Sequence, residues 1–76
     1  MKAFVDTNIL IDYVGKREPF FIPAKSVFAA CFMGRVDIVV SGFNCDCIIT
    51  RNPDDFSMSR LPVYNALDFM LSLRNG

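Results

Sequence analysis

Two strand-forming segments joined through the four residues 41–44, the first of which also ends the first segment, constrain the fold of this chain more than any other feature. Residues 36–41 (VDIVVS) and 45–50 (CDCIIT) are rich in β-branched and apolar side chains, so each predicts a β-strand. The segment SGFN at 41–44 joins them. A crossover between parallel strands takes about a dozen residues or more, whereas four extended residues reach only about 13 Å. This spacing permits an antiparallel hairpin at 36–50.

The rest of the chain alternates between strand and helix patterns. Thr7 and Asn8 are predicted N-cap residues of the first helix, Gly15 its end, and Asn65 the cap of the last helix. The predicted strands are 2–6, 36–41, 45–50 and 61–64, and the predicted helices are 9–15, 20–33 and 66–74. Strands that alternate with helices indicate an α/β domain. We therefore expect one domain over residues 1–76, with a mostly parallel sheet between helical layers and a shortened segment near 41–44.

The amino-acid composition restricts which metal ions, nucleic acids and partner surfaces this chain can bind. The chain has no histidine, so a metal site must use carboxylates, which favour hard cations such as Mg²⁺ or Mn²⁺. The formal net charge is zero, which provides no overall basic charge for nucleic-acid binding. Hydrophobic residues make up 53% of only 76 residues. This richness predicts either a dense core or an apolar surface that meets a partner.

The number of cysteines and the hydropathy of the chain predict the cellular compartment of the protein. The three cysteines are an odd number, and the N-terminus has no export signal, so we expect a reducing cytoplasm. No apolar run approaches the ~20 residues of a membrane span, which predicts that the protein has no membrane segment. Cys45 and Cys47 share one face of a strand, where buried core thiols are expected rather than a zinc site that would need further ligands.

Polar residues follow two of the predicted strands. Functional groups in α/β sheets collect at the carboxyl ends of strands. The first group is Asp6, Thr7 and Asn8, and the second is Thr50, Arg51 and Asn52, followed by Asp54 and Asp55. The carboxylate of Asp6 is suited to a divalent cation, with neighbouring polar groups fixing its orientation. The alternatives are a plain helix cap at the first group and an ordinary polar turn at the second.

Together these segments resemble the PIN domain, a family of metal-dependent ribonucleases that includes VapC-type toxins of toxin–antitoxin pairs. FVDTNILIDY at 4–13 is similar to the opening strand and helix of the family, and CDCIITRNPDDF at 45–56 to its late strand and motif. LPVYNALDFML at 61–71 resembles its closing strand and helix. The resemblance implies a Rossmann-like three-layer fold, a Mg²⁺ or Mn²⁺ cofactor, an RNA substrate and an antitoxin protein as partner.

The resemblance also implies roles for individual residues. Asp6 matches the first metal-binding acid, which makes it both a metal ligand and a catalytic residue. Asn52 falls on the last acidic position of the motif, and Asp55 on a polar position near it, so both are candidate catalytic residues. The matching residues in supporting positions are Thr7, Asn8, Thr50 and Asp54.

The chain departs from the family in its centre. Family members carry a Glu and an Asp on central helices between the strands that correspond to 36–41 and 45–50, and neither acid has a counterpart here. In the family those two strands run parallel on opposite sides of the first strand. Across four residues, the departure predicts a hairpin, an exchange of elements that yields a homodimer or element-swapped oligomer, or a native segment missing from this chain.

Three functions remain open at this point. The first is a PIN-type endoribonuclease that lacks two of the four usual acids. The second is a non-catalytic interaction module that binds an antitoxin or an intact toxin. The third is a small α/β domain with no metal site.

Overall fold

The chain forms a four-stranded parallel sheet packed against α-helices. The computed structural model describes residues 1–39 and 44–75. The strands are β1 (Lys2–Val5), β2 (Asp37–Val39), β3 (Cys47–Ile49) and β4 (Val63–Tyr64). The α-helices are α1 (Thr7–Val14), α2 (Phe21–Phe32) and α3 (Ala66–Asn75), and a 3-10 helix covers Pro53–Phe56. The predicted elements are therefore confirmed in order and type, with boundaries shifted by a few residues. Gly76 and residues 40–41 of the predicted second strand lie outside the described residues.

The strand order is β2-β1-β3-β4, and every pair in the sheet is parallel. β1 pairs with β2 on one side and with β3 on the other, so the predicted hairpin at 36–50 is wrong. Its premise was a four-residue connection. Because β2 ends at Val39 and β3 begins at Cys47, seven residues (40–46) lie between them.

The sheet register explains why seven residues are enough. Val39, the last residue of β2, lies beside Phe4 of β1, and Cys47, the first residue of β3, lies beside Ala3. Along the strand direction, β3 therefore begins only one residue before the level at which β2 ends. Strands on either side of β1 are about 9.6 Å apart. Seven extended residues reach about 23 Å. The start of β3 at Cys47, two residues later than predicted, thus removes the conflict between a short connection and a parallel sheet.

Helix ends follow local chemistry. α1 begins one residue after Asp6, which is the N-cap and accepts a hydrogen bond from the Thr7 backbone at 2.7 Å. Thr7 and Asn8, predicted as caps, are therefore the first helical residues. The predicted cap of α3 is confirmed, since Asn65 Oδ1 accepts from the Asp68 backbone at 2.7 Å. Gly34 follows α2 with a φ of +75°, a left-handed conformation that glycine adopts without strain.

The core lies between one face of the sheet and all three α-helices. Alternate residues of β1 and β3 point into it, as the period of two in a strand requires. Its apolar members are Ala3, Val5, Ile9, Ala24, Val27, Ala30, Val36, Cys47, Ile49, Ala66 and Phe69. On the opposite face, Phe56 of the 3-10 helix packs edge-on against Phe4 at 6.4 Å between ring centres. All three α-helices thus cover one face of the sheet, and among the described residues the other face carries this short 3-10 helix, so the second helical layer predicted from the sequence is not seen.

The buried stripe of α2 differs from the prediction. Spacings of three and four residues predict that Val27, Phe28, Cys31 and Phe32 share a buried face. Val27 is fully buried and Phe28 and Cys31 pack against the core, but Phe32 is 83% exposed. α2 contacts both α1 and α3, and small alanines on its buried face allow this close approach. The larger ring of Phe32, the last residue of α2, stays exposed to solvent.

None of the described helices is long and apolar enough to cross a membrane. The longest in the described part, α2, has 12 residues, whereas a span needs about 20.

Cys45 and Cys47 are buried, which confirms the prediction of core thiols. Burial, followed by the nearby Cys45 and Asp46, raises the pKa of the Cys47 thiol from its ordinary value of 9.0 to about 11. Removing a proton from this thiol therefore costs more in the folded chain than in the unfolded chain.

Stability should accordingly fall as the pH rises from about 9 to 11, because the unfolded chain loses this proton first. The free energy of unfolding, measured by urea titration at each pH, should decline over this window by up to about 2–3 kcal/mol from this group. Cys47→Ala should be less stable at pH 7 and should show a shallower decline. An equal decline in both proteins would contradict the assignment.

Candidate functional site

Asp6 lies where β1 ends and α1 begins. Its Oδ1 accepts a hydrogen bond from the Thr7 backbone at 2.7 Å, and its Oδ2 accepts from the Thr50 hydroxyl at 2.9 Å. Its own backbone N–H donates to the Ile49 carbonyl at 2.9 Å. Because β1 and β3 are parallel neighbours, their carboxyl ends meet at one edge of the sheet. The structure thus brings the two predicted polar groups together.

Thr50 is the residue that joins them. Its side chain is fully buried, its hydroxyl donates to Asp6, and the same oxygen accepts from the Asn52 backbone at 3.1 Å. Its backbone N–H donates to the Tyr64 carbonyl at 2.9 Å. Thr50 therefore fixes the direction of the Asp6 carboxylate and the start of the following loop at once.

Asn8 makes a second link across this edge. Its Oδ1 accepts a hydrogen bond from the Arg51 backbone at 3.3 Å. The side chain of Thr7, by contrast, lies on the exposed surface. Of the two polar residues predicted to support Asp6, Asn8 is thus connected to the second strand end by its side chain, and Thr7 contributes its backbone N–H.

The remaining candidates occupy the loop and the 3-10 helix after β3. Asn52, Asp54 and Asp55 are all exposed, and Asp54 and Asp55 lie in the first turn of that helix. Among the described residues, no hydrogen bond connects their side chains to Asp6. The structure thus places them after the predicted strand end without attaching them to the central carboxylate.

The acidic and thiol side chains near Asp6 determine how a metal ion can be held at this edge. The described residues contain no group of three or more acidic or thiol side chains suited to a metal ion. Mg²⁺ in proteins is commonly held by one or two carboxylates, with water and substrate phosphate completing its shell. Each carboxylate oxygen of Asp6 accepts one hydrogen bond and keeps further acceptor capacity. Among the described residues, a cation at this edge would therefore have Asp6 as its one carboxylate ligand, with water or phosphate as the others.

A buried ion pair beside this edge was missed by the sequence analysis. Arg51 Nη1 donates to Asp12 Oδ1 at 2.9 Å, where the Asp12 side chain is fully buried and that of Arg51 is 28% exposed. The guanidinium carbon of Arg51 also lies 4.7 Å from the centre of the Phe20 ring. A signal existed, because Asp12 follows Ile9 by three residues and therefore lies on the buried face of α1.

A cleft of about 180 Å³ opens next to this ion pair. Its walls combine the Arg51–Asp12 pair, the Phe20 ring and the start of α3 at Ala66 and Leu67. Asp12 Oδ2 is buried and has no hydrogen-bond partner among the described residues. An unsatisfied buried carboxylate oxygen is costly, and Asp12 is one of three polar residues, with Arg51 and Asn65, in a lining that is otherwise apolar.

No protein-family model, curated protein or solved structure matches this chain.

The ion pair generates a stability prediction. Arg51→Met should cost about 3–5 kcal/mol, because it leaves the Asp12 charge buried without a partner. The double variant Asp12→Leu with Arg51→Met should recover most of that loss, since no buried charge then remains. Urea unfolding of the three proteins measures both steps.

Arg60→Met provides the matched control, because Arg60 is an exposed arginine. Its effect should stay within about 0.5 kcal/mol. If Arg51→Met is as mild as this control, or if the double variant is less stable than Arg51→Met alone, the ion pair does not carry the assigned role.

Proposed function

We propose that this chain is a PIN-type, Mg²⁺- or Mn²⁺-dependent endoribonuclease, the toxin of a toxin–antitoxin pair. The observation that carries the proposal is the 2.9 Å hydrogen bond between Thr50 and Asp6. It joins the two sequence segments that resemble the family, at the carboxyl edge of a parallel sheet where α/β proteins place their ligands. The strand order also keeps β1 between β2 and β3, as the resemblance implies.

Each residue of this edge has a distinct part in the proposed mechanism. Asp6 would hold the cation, and Thr50 restricts the rotation of that carboxylate by donating to Oδ2. When bound, the cation supplies Lewis-acid polarisation of the phosphodiester and activation of water. Asn52 precedes the exposed 3-10 helix that follows and Asp55 lies in its first turn, where the two would orient water and RNA. Thr7, Asn8 and Asp54 support this edge.

The number of carboxylates at this edge sets the cation affinity that we propose. Asp6 is the one carboxylate that the described hydrogen bonds fix at this edge. With a single carboxylate, Mg²⁺ keeps most of its water, so binding is weak until RNA phosphate joins the shell. We therefore propose slow cleavage, with cation affinity that increases when RNA is present.

The partners of the proposal follow from the same resemblance. They are an RNA substrate and an antitoxin protein, together with a second copy of the chain in a homodimer or an element-swapped oligomer. The cytoplasm, where both RNA and reduced thiols occur, is the proposed compartment.

A non-catalytic interaction module is the second candidate. The observation that favours it is a shallow apolar surface on α1, formed by Leu10, Ile11 and Val14, of which Val14 is 71% exposed. Exposed apolar patches of this kind mark contacts with other proteins. A module of this type binds an antitoxin or an intact toxin and needs neither a cation nor the Asp6 carboxylate.

Titration with Mn²⁺ separates the two candidates. At a metal concentration tenfold above Kd, mass action adds about 1.4 kcal/mol of stability, which raises the Tm of a domain this size by roughly 6–11 °C. Asp6→Asn should abolish this rise, and it should also reduce Mn²⁺-dependent cleavage of single-stranded RNA by at least about a hundredfold. Asn remains a good N-cap, so α1 should persist in this variant.

Asp37→Asn is the control, since Asp37 is an exposed acid at the opposite end of the sheet. This variant should respond to Mn²⁺ as the unaltered chain does. A Tm that Mn²⁺ does not change, combined with intact RNA, would reject the nuclease and leave the interaction module and the small α/β domain with no metal site.

A further inference from the structure

The cleft beside Arg51 has the size of a single ring system. Its volume is about 180 Å³, below the roughly 300 Å³ at which pockets for drug-sized ligands begin. All three α-helices contribute to it, through Ile9 of α1, Pro23 of α2 and Leu67 of α3. Arg51 directly follows Thr50, which bonds to Asp6. The cleft and the proposed cation site therefore lie on neighbouring parts of one edge.

The polar wall of the cleft offers both a donor and an acceptor. Arg51 carries five N–H donors, and the Nη1 group is the one that bonds to Asp12. Asp12 Oδ2 is an acceptor without a partner among the described residues. That oxygen is itself buried, so a ligand reaches it only where the guanidinium moves aside. Donor and acceptor are adjacent because they belong to one ion pair.

The apolar wall favours a flat ligand. Phe20 is 40% exposed, and its ring already holds the planar guanidinium of Arg51 at 4.7 Å. Aromatic rings and guanidinium planes are the surfaces on which proteins stack unpaired bases of RNA. Phe20 and Arg51 thus place two such surfaces in the lining of one small cleft.

The charge of the wall selects among planar ligands. Arg51 and Asp12 neutralise each other, so a cationic ligand meets the guanidinium and an anionic ligand meets the carboxylate. A neutral planar ring with a hydrogen-bond donor next to an acceptor satisfies both groups. The edge of a nucleobase has this pattern.

We propose that this cleft holds one nucleobase of a single-stranded RNA. The inference rests on the proposed ribonuclease function, because it names the part of the substrate that the same edge of the sheet holds. It involves no metal ion, so its test is independent of the Asp6 experiment. A protein side chain such as arginine would be the competing occupant, and the neutral ion pair disfavours it.

The test is a titration of the ¹⁵N-labelled chain with each of the four ribonucleosides, in EDTA, followed by NMR. Saturable, millimolar binding of at least one nucleoside should shift the amide signals of Arg51 and Leu67. Phe20→Ala should weaken that binding by roughly five- to hundredfold, the range of one lost base–aromatic stack. Phe32→Ala removes an exposed ring outside the cleft and should leave the affinity unchanged.

Three results would overturn the inference. The first is that no nucleoside shifts any cleft signal. The second is that Phe20→Ala binds as tightly as the unaltered chain. The third is that N-acetylarginine amide binds the cleft while the nucleosides do not, which assigns the cleft to a protein partner. If Phe20→Ala proves unfolded by its NMR spectrum, Phe20→Leu replaces it, since leucine keeps apolar volume but removes the aromatic face, and the same loss of affinity is required.

Discussion

The parallel pairing of β1 on both of its sides is the constraint on which the rest of the structure depends. With only four residues, β1 pairs with β2 along one edge and with β3 along the other. Its buried face, Ala3 and Val5, is part of the core that all three α-helices complete. The same pairing places the carboxyl ends of β1 and β3 side by side. Asp6 and Thr50 can meet only because of that arrangement.

Much of this fold was predictable because it follows from local chemistry. The strand and helix patterns, the Asn65 cap and the stop at Gly34 all depend on residues close in sequence. The pairing of β2 and β3 was not predictable in the same way. The strand pattern predicted 45–50, whereas β3 covers Cys47–Ile49, and the residue at which a strand starts decides how much chain is left to connect it. Partner choice in a sheet depends on such lengths and on distant segments.

In the candidate site, as in the fold, local features were predictable and contacts between distant segments were not. The sequence placed Asp6 and Thr50 at strand ends, and parallel topology was enough to bring them together. It did not identify the ion pair between Asp12 and Arg51, whose members are 39 positions apart. Helical spacing indicated that Asp12 shares a face with Ile9, but only the packing of α1 beside the loop after β3 shows which cation compensates it. Asp54 and Asp55 were predicted as site residues from their position in the motif, but both are exposed in the structure. A position in a motif does not determine which residues a side chain contacts.

The most direct test of the account is to locate a bound cation. Mn²⁺ is paramagnetic, so trace amounts added to the ¹⁵N-labelled chain should broaden the amide signals nearest the ion. We expect broadening centred on Thr7, Asn8 and Arg51, at the carboxyl edge of the sheet beside Asp6. Broadening centred instead on Asp37 and Asp46, exposed acids at the amino ends of β2 and β3, would contradict it.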